Sequence, residues 1–350
     1  MTQWMIYGAN GYTGQLIARA TASRGMKPVL AGRSDAAVSG LARELGLEHR
    51  VFSLDDIQAS VSGITGMGVV LHCAGPFSAT ARPMMEACIK AGSHYLDITG
   101  EIAVFEMAHE LGARAAAEGV LLCPGTGFDV VPTDCLAAKL AEALPDATQL
   151  ALGFDSRSGF SPGTAKTSVE GLAGGGKVRR DGKLETVPLA WRTRRIDFGD
   201  GEKLAMTIPW GDVSTAYRTT GIPDIEVYIP ASPKLVKRLK RMNAIRPFLG
   251  LGLVQKFMKG QVDKRVRGPS EAQRAELTTA VWGEVKNAAG KTVTGRIRTA
   301  NGYDVTVSAS LEIVAALCAG KTASGDVTPA RLMGTDFVTQ LPGSGAFELV

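Results

Sequence analysis

Three glycines at intervals of three, in Gly8-Ala9-Asn10-Gly11-Tyr12-Thr13-Gly14, follow the apolar run Trp4-Met5-Ile6-Tyr7 and open a stretch of helical character. Glycine at such places lets the chain turn sharply, lets backbone N–H groups come close to a phosphate, and lets the next helix pack tightly on the sheet. The helix N-terminus adds a partial positive charge. The chemistry expected here is capture of a dinucleotide pyrophosphate by Gly8, Asn10, Gly11, Tyr12, Thr13 and Gly14. The spacing GxxGxxG is a variant of GxGxxG and says little by itself; its weight comes from the strand before it and the helix after it. A second apolar run ends at Ala31-Gly32-Arg33-Ser34. An acid at this point would bond a ribose 2′-hydroxyl, whereas an arginine suits a 2′-phosphate, so Arg33 and Ser34 predict NADP(H), with NAD(H) through Asp35 as the lesser alternative. Another glycine turn, Ala74-Gly75-Pro76-Phe77, follows the fourth apolar run, and Ala74, Gly75 and Pro76 are assigned to the nicotinamide half of the crevice.

Hydride transfer also needs a group that moves a proton. The candidates sit at expected strand ends: Tyr95, Asp97 and Glu101 after the fifth strand, Asp129 after the sixth, and Lys166 in a glycine-rich loop beyond. Position is their whole argument, since each carboxylate could equally cap a loop or helix and Tyr95 could be core. No tyrosine is followed four positions later by lysine, which excludes the Tyr-Lys pair of short-chain dehydrogenases. All four histidines, His49, His72, His94 and His109, lie in the first part of the chain, so no later domain can offer a histidine base. Cys73 and Cys88 lie in apolar surroundings that raise a thiol pKa, and no His/Cys spacing suggests a metal site. A non-catalytic NADP(H)-binding sensor or partner-binding protein is the competing reading, because one fold serves both ends; the clustered ionisable residues favour an enzyme.

Positioning these residues requires alternating strands and helices. Apolar runs at 4–7, 28–31, 50–53, 68–73, 94–96 and 120–123 alternate with helical periods at 12–24, 55–64, 80–91 and 102–118. Six strands with intervening helices predict an α/β fold, a Rossmann-type doubly wound parallel sheet spanning residues 1–145. From 146 to 325 the texture changes. Runs at 187–198, 204–208, 225–229, 277–285, 292–298 and 303–309 predict a second α+β domain with a mainly antiparallel sheet, serving substrate binding or oligomerisation, with Asn287-Ala288-Ala289-Gly290 as a hairpin loop. Residues 232–266 are helical in character and strongly basic. A solvated face is the plain reading of that stretch, and peripheral contact with an acidic membrane surface or carrier protein is the sharper one. A homodimer stays open.

The chain has 350 residues, 45% hydrophobic, with 42 glycines clustered at turns and a mild net charge of +5. The aromatic residues do not interleave with the basic ones, which argues against nucleic acid. Five cysteines without a CxxC pair read as reduced core thiols of a cytoplasmic protein. The N-terminus has no room for a secretion signal before its first strand.

Read together, the glycine turn at 8–14, Ala31-Gly32-Arg33-Ser34, Ala74-Gly75-Pro76-Phe77, Ala87-Cys88, the run from Ala91 to Glu101, and Gly127-Phe128-Asp129 with Pro132 and Asp134 resemble the saccharopine dehydrogenase-like oxidoreductases, a group that includes trans-acting enoyl reductases. The resemblance is close over the first 140 residues and loose beyond them, through Gly163-Thr164 and Trp210 to Tyr217. The sequence departs from the family pattern at Ala81, Thr126 and Val130. The resemblance implies an NADP(H)-dependent oxidoreductase acting on an unidentified small-molecule or acyl substrate, and a C-terminal segment, 326–350, that returns to the first domain.

Overall fold

The computed structural model describes residues 2–156, 169, 171–265 and 277–350. Contacts divide the chain into two units, residues 1–131 with 303–333, and residues 132–302 with 334–350. In the first unit the order is β1 (Trp4–Tyr7), α1 (Tyr12–Ser23), β2 (Val29–Gly32), α2 (Asp35–Leu45), β3 (His49–Val51), α3 (Ile57–Ile64), β4 (Val69–His72), α4 (Phe77–Ala91), β5 (His94–Asp97), α5 (Ile102–Ala117) and β6 (Leu121–Cys123). The strands pair in parallel as β6-β5-β4-β1-β2-β3, with a two-residue strand, Gly325–Asp326, added beyond β6. This is the doubly wound Rossmann order with its reversal beside β1, where nucleotides bind.

The local reasons are visible in the sequence. Every residue of β1, β2 and β4 is buried, as expected of strands covered on both faces. One face of α1 is buried through Ile17, Ala18 and Thr21. Helices α2 and α4 end on the left-handed glycines Gly46 and Gly92. Met5, Tyr7, Val70, Tyr95 and Leu122 share one core with Met84 and Met85 of α4.

In the second unit Ala147–Ser156 is the central strand, parallel to Asp224–Pro230 and antiparallel to Thr278–Asn287. The sheet is otherwise antiparallel, from Thr193–Asp197 at one edge to Glu348–Leu349 at the other. The 287–290 loop closes the hairpin between Thr278–Asn287 and Thr292–Ala300, with Gly290 at φ +85° and Asn287 Oδ1 accepting from the Lys291 N–H.

Three expectations change. The 187–198 run is not one strand: it splits into the ends of Lys183–Val187 and Thr193–Asp197, because Pro188 follows the first and Ala190 turns at φ +51°. Residues 303–309 are not a strand but the start of a helix, Gly302–Cys318. The Tyr303-Val305-Val307-Ala309 alternation suits a strand locally, whereas Val305, Ala309, Ile313 and Leu317 bury at near-helical intervals over the longer span. Because that helix contacts α1 and the loop after β6, the return to the first unit starts near residue 303 instead of 326, and residues 334–350 join the second unit, with Glu348–Leu349 pairing to Thr292–Ala300.

Candidate functional site

The turn between β1 and α1 is built on backbone constraints that a side chain would break. Gly8 sits at φ +82°, donates its N–H to the Ala31 carbonyl at 2.7 Å, and approaches the β4–α4 turn so closely that a Cβ would lie 2.6 Å from the Ala74 nitrogen. At Gly14 a Cβ would land on the Gly8 carbonyl oxygen, while at Gly11 it would stand 3.3 Å from that oxygen, a milder crowding. Gly11 is the N-cap of α1 and brings no side chain to bond the first-turn N–H groups. A cradle that Cβ atoms would fill, at a helix N-terminus, fits a pyrophosphate. Asn10 turns its side chain toward Gly32, and its carbonyl accepts from the Gln15 amide at 2.9 Å. Tyr12 meets Tyr303 of the returning helix edge to face, ring centroids 5.1 Å apart.

At the end of β2, Arg33, Ser34 and Asp35 are all exposed. Ser34 is the N-cap of α2 without a side-chain cap bond, and Asp35 lies 4.0 Å from His49. No carboxylate among the described residues pairs with Arg33. Its charge reaches the Tyr7 hydroxyl, which donates to the Phe52 carbonyl at 3.0 Å; burial pushes that phenol up to about 12, Arg33 pulls it back and Asp55 adds to the rise. Arg33 and Ser34 thus form an exposed polar lip at the end of the strand whose Ala31 carbonyl accepts the Gly8 N–H.

The second turn, Ala74-Gly75-Pro76, carries a cis Gly75–Pro76 peptide. Thr80 holds it, donating to the Ala74 carbonyl at 2.6 Å. His72 Nε2 lies 3.0 Å from the same hydroxyl. Since the hydroxyl's proton goes to Ala74, the network assigns the ring proton to Nε2. Burial drives the His72 pKa down to about 3, so the ring is neutral and acts as a fixed part of the turn. Phe77 donates its N–H to Glu101 Oε1 at 3.1 Å.

Beyond this turn the carboxylates divide. Asp97 is fully buried and accepts from the Tyr95 hydroxyl at 2.6 Å, the Thr99 N–H at 3.0 Å and the Gly125 N–H at 2.8 Å. Its backbone carbonyl takes the Thr126 N–H as well. Burial raises Asp97 to about 6 even against those three donors, and it pushes Tyr95 well above its ordinary range. Asp129 is only part-buried. It lies against Gly100, where a Cβ would be 2.7 Å from Oδ2, and burial followed by the charge of Glu101 raises it to about 7. Gly8 thus approaches Ala74, Phe77 is bonded to Glu101, and Asp129 lies against Gly100, the residue before Glu101. Lys166 and Gly163-Thr164 lie outside the described residues.

Sequence reasoning missed the supports. Thr80 and His72 brace the second turn, and Thr306 and Ser310 of the returning helix hold the loop after β6, through the Phe128 N–H at 3.0 Å and Thr126 Oγ1 at 3.1 Å. Thr306 and Ser310 stand four apart on one helix face, a signal hidden by the strand-like alternation around them.

Residues 4–123 match the family model described as the saccharopine dehydrogenase NADP binding domain. A trans-acting enoyl reductase of Mycobacterium bovis is 29% identical over 209 residues, which cover 55% of this chain and 49% of that protein. A saccharopine dehydrogenase-like oxidoreductase of Bos taurus is 29% identical over 150 residues, 37% of this chain and 35% of that protein. The chain spans less than half the length of the curated relatives it matches. Among solved structures, apo saccharopine dehydrogenase (L-Glu forming) from Saccharomyces cerevisiae aligns over 100% of both chains with a TM-score of 0.70 at 11% identity, a likeness of fold.

Proposed function

We propose that this chain, whose residues 4–123 match the model of the saccharopine dehydrogenase NADP binding domain, is an NADP(H)-dependent oxidoreductase in which Asp129, near Glu101, is the proton-carrying group. The observation that carries this reading is a part-buried carboxylate, raised to about 7, that lies against the residue before Glu101, which itself accepts the Phe77 N–H just after the second turn. A general acid works best with a pKa near the working pH.

Gly8, Gly11, Gly14 and the first turn of α1 would hold the pyrophosphate, Arg33 and Ser34 the 2′-phosphate, and Ala74-Gly75-Pro76 the nicotinamide half. The cofactor, when bound, supplies the reducing equivalent. Asp129 gives a proton to the reduced substrate from its neutral form, and Glu101, tied to the Phe77 N–H, keeps that proton in place by disfavouring a second charge. Asp97 and Tyr95 are positioning residues that fix the loops after β5 and β6. The names of the relatives suggest an acyl substrate, with an enoyl thioester as the class to try first.

Calorimetric titration of both cofactors tests the nucleotide assignment. Arg33→Ala should weaken NADPH binding by about 10- to 150-fold, the worth of charge-assisted hydrogen bonds, and leave NADH nearly unchanged. Equal affinity for both cofactors in the unaltered protein, or an equal loss for both, hands the lip to Asp35. Tight NADPH binding without oxidation of it by enoyl thioesters, imines or ketones leaves the sensor reading standing.

A further inference from the structure

We infer that residues 233–262 form a peripheral docking surface for an anionic phospholipid bilayer. The longer helices of this part of the second unit are Pro233–Met242 and Gly252–Arg265, joined through a 3-10 turn, Asn243–Ile245, and a short helix, Arg246–Leu249. The first is fastened on one side only: Val236 is buried with Ala190 and Met206, and Leu239 packs against the same cluster. Its cations Lys234, Lys237, Arg238, Lys240 and Arg241 are exposed. The connection between the helices is pinned by Asn243, whose side chain accepts from the Leu189 N–H at 2.8 Å and donates to the Leu189 carbonyl. It is pinned again by Leu249, which is buried and whose carbonyl accepts from the Gln255 amide at 2.7 Å. The segment is therefore a shaped surface fixed to the sheet.

The outward side of that surface is unusual in two ways at once. Of the large apolar side chains exposed among the described residues, most belong to this one stretch: Leu235, Ile245, Phe248, Leu251, Leu253 and Phe257, with Leu253 85% and Phe257 67% exposed. Scattered exposed hydrophobes are ordinary, whereas a cluster marks an interaction site. The same stretch carries no acidic residue from Val227 to Val262, and Lys234, Lys237, Arg238, Lys240 and Arg241 make no ion pair among the described residues. A shallow cleft of about 450 Å³ opens where Lys237, Lys240 and Arg241 rim an apolar floor of Leu204, Pro233 and Val236.

Leucines and phenylalanines that enter the acyl boundary, ringed by lysines and arginines that stay at the headgroups, are the residue types an anionic interface selects. An acidic protein would meet the cations alone, whereas the exposed leucines and phenylalanines beside them suit a surface with an apolar interior. Here charge complementarity is to a uniformly negative surface. No described helix is long and apolar enough to cross a membrane, so the contact lies in the interface plane.

The test is co-sedimentation of the full chain with vesicles of phosphatidylcholine alone and of phosphatidylcholine with phosphatidylserine. The chain should pellet with the anionic vesicles, be released by high salt, and stay in solution with the neutral ones. Lys237→Gln/Lys240→Gln/Arg241→Gln should weaken the binding about 100-fold, at about fivefold per cation. Leu253→Ser/Phe257→Ser should weaken it by about tenfold or more at low salt. Thermal melts like that of the unaltered chain establish that the variants fold, and the charge variant carries the test if the apolar one does not. Equal recovery with both vesicle types, or none with either, overturns the inference. So does a dimer by light scattering that Leu253→Ser/Phe257→Ser splits, since a second copy is then the occupant. Salt-sensitive binding to a purified acyl carrier protein without vesicle binding overturns it too.

Discussion

Asp97 ends one strand and Asp129 follows its neighbour in the same sheet, both have raised pKa values, and they are built for different work. Asp97 is sealed in, with three donors aimed at one carboxylate, and it ties the loops after β5 and β6 together. Asp129 is part-exposed, and burial followed by the like charge of Glu101 favours its proton. A raised pKa by itself does not separate a structural acid from a catalytic one; the partners do.

The largest effect expected from breaking this contrast is on turnover. Asp129→Asn keeps the shape but cannot give up a proton, and should lower kcat with an accepted enoyl thioester by about 10²- to 10⁴-fold while the urea midpoint at about pH 4 stays near that of the unaltered protein. A variant that keeps its kcat moves the proton to another group. Asp97→Asn should do the reverse. One side-chain oxygen and a new NH₂ would face the Tyr95 hydroxyl and two amide donors, costing about 3 kcal/mol of unfolding free energy by urea denaturation. An unchanged midpoint would remove Asp97 from its positioning role.

The pH dependence sharpens the same contrast with a smaller signal. Both acids hold their protons more tightly in the folded chain than in the unfolded one, so their contribution to stability is full below about pH 4 and is lost as pH rises through about 6 for Asp97 and about 7 for Asp129. Urea midpoints followed across that window should decline less in Asp129→Asn than in the unaltered chain; parallel curves would mean that Asp129 titrates at its ordinary value. The smallest effect belongs to Glu101→Gln. Removing the neighbouring charge lowers the Asp129 pKa, so the alkaline fall in turnover should move to lower pH, and a shift upward would contradict the pairing.

Legibility in the sequence followed the range of the physics. Gly8 and Gly14 were readable because their constraints are set by the turn itself, and the place of Arg33, though not its work, because it follows a strand bonded to that turn. Asp97 could be located but its work could not: two of its donors lie two residues away, and the third, Gly125, arrives from the next strand. The 303–309 run misled because alternation over seven residues fits a strand, and the helical interval of its buried side chains appears only when the pattern is followed to Leu317. The raised pKa of Asp129 rests on burial and on Glu101, which no spacing reports.

The discontinuous path of the chain bears on how it is made. The loop carrying Asp129 leans on Thr306 and Ser310, and the sheet's last strand is Gly325–Asp326, so the first unit cannot finish until the whole of residues 132–302 has been synthesised. At about 5 to 20 residues per second, that interval lasts roughly 10 to 30 s on the ribosome. During it the nascent glycine turn and Arg33 are already present, while the apolar edge of β6 and the underside of the Gly125–Asp129 loop have nothing to rest against. A fragment ending near residue 131 reproduces that waiting state, and it should be a substrate for chaperones before it is a nucleotide-binding domain.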